Sequence, residues 1–218
     1  MTWPTKTDFI DGDVLTAAQV NNVGTNLNLF DPTSANSGEV PIADGAGSVA
    51  FGTLAVGGWT SIASGSLPTG SGTLTLSSIP ATYEMLRLQL INWSSASNAE
   101  LQMRINNIST SSYHTGYFYW VQGSSYTQNQ YSGTYMAIQN FANTAAGTMS
   151  TTIDFPQYAE STKQFAIAYT VGTALGGTNQ GIGNAIGQYT TAAVLDRIDV
   201  ILNTGNYDAG TYILWGLK

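Results

Sequence analysis

The stretch Tyr83 to Trp93, "YEMLRLQLINW", decides the fold class. Leu86, Leu88 and Leu90 recur at every second position, with Arg87 and Gln89 between them. Successive side chains of a strand point to opposite faces, so this spacing sets three leucines against a core and the polar pair towards water. The same period returns in "ELQMRIN" (Leu101, Met103, Ile105), in "QFAIAYTV" (Phe165, Ile167, Tyr169, Val171) and in "DRIDVIL" (Ile198, Val200, Leu202). The last residues, "TYILWGLK", set Tyr212 and Leu214 against Ile213, Trp215 and Leu217. Many such strands between Gly, Ser and Asn turns predict a mainly β domain over residues 59–218, an antiparallel sandwich of jelly-roll-like type more than a barrel.

Composition narrows the function. Only 9% of the 218 residues are charged, against about 25% in a typical soluble protein, so Ser, Thr, Asn, Gln and backbone must solvate the surface. Hydrophobic residues make up 43%, which argues against disorder despite 24 glycines. The net charge is −7, and the six cations (Lys6, Arg87, Arg104, Lys163, Arg197, Lys218) are scattered singly. Phosphate backbones require clustered cations, so nucleic acid is not an expected ligand. The absence of cysteine excludes disulfides and thiolate chemistry. The start, "MTWPTKTDFIDGD", has no cationic stretch leading into an apolar one, and no apolar run reaches the ~18 residues of a membrane helix, so neither an export leader nor membrane insertion is expected.

Ahead of the strands, "DGDVLTAAQVNNVGTNLNLFDP" (Asp11–Pro32) is the one stretch that reads as a helix. Thr16 and Gln19 fit a capping box, Asp11 and Asp13 favour the positive end, and Asp31-Pro32 stops it. Val20, Val23, Leu27 and Phe30 form a narrow apolar stripe of a/d type. A helix from Ala17 to Phe30 is about 21 Å long, near the ~12–15 residues below which isolated helices hardly form. Its four asparagines and Gly24 weaken it further. The stripe therefore needs a cover, and its narrowness favours two other copies of the chain. The expected division is residues 1–30 as arm and trimerising helix, 31–58 as a stem or linker with short strands such as "EVPIA" and "SVAFG", and 59–218 as the sandwich.

The search for chemistry yields no constellation. His114 is the single histidine, and no G-x-S-x-G elbow accompanies the many serines. The acids Glu84, Glu100, Asp154, Glu160, Asp196, Asp199 and Asp208 read as solvated turns and strand edges. Asp8, Asp11 and Asp13 lack the terminal Glu of a calcium loop. No catalytic residue, metal or cofactor is expected. Residues 113–141 interleave aromatics with amides: Tyr113, Tyr117, Tyr119, Trp120, Tyr126, Tyr131 and Tyr135 among Gln128, Asn129 and Gln130. Aromatic faces stack on sugar C–H groups while amides bond hydroxyls, so this run suits a glycan surface; strand alternation also allows half of it to face a core or an interface. "VGTALGGTNQGIGNAIGQYTTAA", 171–193, reads as a long permissive loop.

The segment "TWPTKTDFIDGDVLTAAQVNNVGTNLNLF" resembles the N-terminal segments of bacteriophage fibre proteins. "PIADGAGSVAFG" is similar to the stretches joining fibre stems to tips, and "TYILWGLK" to the last strand of phage tip sandwiches. The resemblance implies a homotrimeric virion protein, assembled in the host cytoplasm and exposed on the particle, either a tail fibre that binds host receptors or a head fibre. Trp3 and Phe9 then become candidate anchors to other virion proteins, and Val20, Val23, Leu27 and Phe30 line the threefold axis. The tip is expected to attach to host-surface glycan. A decoration protein without a ligand and a glycan-degrading tail enzyme are the alternatives.

Overall fold

Alternation is realised directly in the central strands: Leu86, Leu88, Leu90, Leu101, Met103, Ile105, Ile198 and Val200 are all fully buried. The computed structural model of the chain describes residues 39–43, 49–53, 58–143, 147–174 and 179–218. The predicted arm and helix, with Trp3, Phe9, Val20, Val23, Leu27 and Phe30, lie outside the described residues. The chain divides into two units, Met1–Val56 and Gly57–Lys218. In the first, β1 (Glu39–Ala43) and β2 (Val49–Thr53) pair antiparallel with each other, Glu39 opposite Thr53 and Ala43 opposite Val49.

The second unit is an antiparallel β-sandwich. Its strands are β3 (Trp59–Ser66), β4 (Thr73–Leu76), β5 (Met85–Ser95), β6 (Ala99–Ile105), β7 (Tyr113–Val121), β8 (Thr127–Gly133), β9 (Met136–Asn143), β10 (Met149–Pro156), β11 (Gln164–Ala174), β12 (Asn179–Tyr189), β13 (Ile198–Leu202) and β14 (Tyr207–Leu217). An eight-stranded sheet has the order β3-β14-β5-β10-β11-β12-β7-β8, and a four-stranded sheet the order β4-β13-β6-β9. One core fills the space between them, drawing Leu86, Ile153 and Leu214 from the large sheet and Leu74, Met103 and Val200 from the small one. Gly210 lies where β14 shifts register against β5. Its φ is +118°, and a Cβ there would lie 2.7 Å from the Trp93 backbone, so only glycine fits.

Two expectations are corrected in β11 and β12. Residues 171–174 and 179–189 are strand, not a loop. The faces of β11 are also reversed: Phe165, Tyr169 and Val171 are 40–59% exposed, while Gln164, Ala166, Ala168 and Thr170 point inward and are buried. The cause is the close passage of β9 over these strands. Gly181, Gly183, Ala185 and Gly187 face inward on β12, and a Cβ at Gly187 would lie 2.7 Å from the Met136 sulfur. Small residues must face β9, so the large ones go outside. Gln164 is tolerated inside because its Nε2 donates to the Glu160 and Ala193 carbonyls at 2.8 and 2.6 Å.

Two of the acids depart from the solvated-turn reading, while Glu84, Glu160 and Asp196 are exposed outside the strands as expected. Asp154 sits in β10 and accepts a bidentate pair from Arg87 at 2.7 and 2.9 Å. The same guanidinium lies 4.7 Å from the Trp59 ring centroid. Asp199, in β13, is 3% exposed and pairs with Arg197 at 2.8 Å while accepting from the Thr75 hydroxyl at 2.7 Å.

Candidate functional site

Strand phase determines what each face of the β8-β7-β12 region displays. Gly116 of β7 stands opposite Gln130 of β8 and Ile186 of β12; Phe118 stands opposite Gln128 and Asn184; His114 stands opposite Ser132 and Gln188. These residues share the outer face of the large sheet. Gly116 brings no side chain, and nothing stands within 4 Å of where its Cβ would be. The result is an open hollow of about 660 Å³ lined by Gly116, Phe118, Gln128, Gln130, Asn184 and Ile186. A second hollow of about 400 Å³, beside His114, Ser132, Phe165 and Gln188, shares Gly116, Gln130 and Ile186 with the first. Together they form a shallow trough with Gly116 as its floor.

The wall carries an aromatic pair. Phe118 is 40% exposed and Tyr126 59% exposed, their ring centroids 5.9 Å apart and tilted by 32°. No Asp, Glu, Lys or Arg lines either hollow. The polar groups are amides, each offering two donors and an acceptor. An uncharged trough with an exposed aromatic wall and several amides suits a neutral, hydroxyl-rich ligand that has apolar C–H faces. His114 contacts Ser132 at 2.6 Å from Nδ1, an exposed cross-strand pair. Among the described residues, no three His, Cys, Asp or Glu side chains form a group able to hold a metal ion.

The seven aromatics singled out from sequence fall into three places. Tyr126 lies beside the trough, and Trp120 is half-buried on the same outer face, opposite Ile182. Tyr117, Tyr119, Tyr131 and Tyr135 are half-buried, Tyr117 at the edge of the first hollow and Tyr131 at the edge of the second. Tyr117 stacks with Tyr119 at 6.5 Å and Tyr131 with Tyr135 at 4.4 Å. Burial, and then the Tyr131 hydrogen bond, push the Tyr135 hydroxyl up to about 12. Tyr113 is a core residue, 1% exposed, which removes it from any surface site. Gly116, Phe118, Asn184, Ile186 and Gln188 were not singled out. The period-two phase of "YHTGYFYW" carries the signal for the first two, since Gly116 and Phe118 fall on the face opposite Tyr113 and Tyr117.

Tyr113 makes the alkaline behaviour of the fold testable. Its hydroxyl donates to the Ile108 carbonyl at 2.9 Å and accepts from the Ile105 N–H at 3.2 Å. Burial raises it from 10.0 to about 12. The unfolded chain therefore releases this proton first, and stability is full below pH 10 and falls as pH rises from 10 to 12. Thermal midpoints are expected to stay level up to pH 10 and then decline, with a shallower decline in Tyr113→Phe. An equal slope in that variant would assign the effect elsewhere.

No known protein family and no curated protein matches this sequence.

Proposed function

We propose that this chain is a fibre-type structural protein of a bacteriophage virion, a homotrimer that attaches to the particle by its N-terminal arm and to a host-surface glycan by its sandwich. The observation that carries the attachment role is the trough: the Phe118–Tyr126 wall, the Gly116 floor, and the amides of Gln128, Gln130 and Asn184. The virion role is supported by the resemblance of residues 2–30 to fibre N-termini, with Trp3 and Phe9 as anchors and Val20, Val23, Leu27 and Phe30 around the axis. The jelly-roll reading rests on strand order. From β4 to β7 the chain crosses between sheets at every step, and β4-β13-β6-β9 lies against β5-β10 and β7-β8 in the manner of two interlocked Greek keys. On this reading β10, β11 and β12 together fill the place of a single strand, and β3 and β14 extend one edge. On this reading the protein acts as a binder; the buried strand acids Asp154 and Asp199 are each held by an arginine.

Glycan-array binding, together with competition between purified protein and phage for host cells, tests the reading. Tyr126→Ala is expected to weaken binding about tenfold with an unchanged thermal midpoint, since the ring is 59% exposed. Protein that binds no glycan and does not compete would be a decoration protein. Release of reducing sugar from host polysaccharide would make it an enzyme.

A further inference from the structure

The two outer faces of the sandwich differ in kind. The small sheet presents Arg104, Arg197 and Thr75 around Asp199. The large sheet, along β11 and β12, presents Phe165, Tyr169, Val171, Ile182 and Ile186, each 40–59% exposed, and the half-buried Ile167. With Trp120 they expose on the order of 600 Å², the upper end for a monomer and close to the ~800 Å² per partner of a standard interface. Close packing against β9 explains why small residues face inward; it does not explain why the outward positions are Ile, Val, Phe and Tyr where Thr and Lys would serve a solvated strand.

We infer that this face, centred on Val171 and Ile182, is where copies of this chain pack against one another. The register aligns it into rows: Val171 beside Ile182 beside Trp120, then Tyr169 beside Asn184, then Ile167 beside Ile186. Where the strands run along a rotation axis, each row stays at the height of its equivalents, so an apolar row meets an apolar row at the contact. Charged rows would repel there, and the outward positions of β11 and β12 contain no Asp, Glu, Lys or Arg. A partner of strong charge finds nothing to pair with, because Asp154 at the patch edge is already held by Arg87. Three such faces turned towards one axis bury the row of Val171, Ile182 and Trp120 and leave the trough, with Ile186 on its wall, at the rim. The inference takes homo-oligomerisation from the proposed function and adds the surface that the sandwich uses.

The test uses the full chain, whose lack of cysteine makes an introduced thiol unique. Ile182→Cys, Val171→Cys and, as an exposed turn control, Ser109→Cys are labelled with a maleimide while sedimentation reports the assembly. All three positions lie outside the sandwich core, so each variant is expected to fold. Thiols at 182 and 171 are expected to react about tenfold more slowly than at 109, and equally fast in denaturant. Equal rates in a native oligomer would overturn this surface and leave the trimeric fibre standing. A protected pair in a dimer would uphold the surface and overturn the threefold reading. A monomer, whatever its thiol rates, overturns both.

Discussion

Trp93→Ala is expected to lower stability by about 4 kcal/mol and the thermal midpoint by roughly 10 °C. Trp93 is fully buried, at the end of the alternating stretch that decides the fold, and its ring meets Tyr207 edge-on at a centroid distance of 6.4 Å. Its Nε1–H donates to the Thr151 hydroxyl at 3.0 Å, which lies 3.0 Å from the Thr170 hydroxyl. Three adjacent strands, β5, β10 and β11, are thus tied by one polar chain inside the core. Alanine removes the largest core side chain, and the space it leaves cannot close readily: Gly210 already brings the β14 backbone against the Trp93 backbone. Trp93→Phe separates the two contributions. It keeps most of the volume and loses the N–H, so about 1 kcal/mol is expected. Equal losses in the two variants, read by urea unfolding, would place the whole effect in the hydrogen bond.

The strands that build the core were legible because their large apolar residues face inward. In β5, β6 and β13 hydrophobic phase and burial agree, so Leu86, Met103 and Val200 could be placed from spacing alone. In β11 and β12 the same rule misleads. The period of two is present, yet Phe165, Tyr169 and Val171 mark the outside, because Met136 passes too close to Gly187 for anything but small residues within. Nothing local announces that constraint, which comes from a strand 51 positions earlier in the chain. Glycine or alanine at every second position of "GIGNAIG" therefore resembled a loop. The candidate site was half legible for a related reason. The aromatic and amide run was visible, but Tyr113 and Phe118 exchange the roles that their chemistry favours. The tyrosine, with a hydroxyl to solvate, is inside with its bond to Ile108, and the phenylalanine is outside.

Gly116→Trp is expected to reduce glycan binding about a hundredfold or more without loss of stability. The floor of the trough is open because residue 116 has no side chain, and a Cβ there meets nothing within 4 Å. An indole placed on that floor occupies the space between Gln130 and Ile186 that a sugar ring would need. The backbone does not resist the change, since a strand position freed of glycine gains order and β propensity. The thermal midpoint should hold or rise, and sedimentation should match the parent protein, so a loss of binding cannot be assigned to misfolding or to disassembly. Gly116→Ala, which adds one methyl, should retain most of the binding and so calibrates the steric reading. If the tryptophan variant still bound glycan and still competed with phage for host cells, the trough would not be the site, and the half-buried Tyr117, Tyr119, Tyr131 and Tyr135 would be the next residues to change.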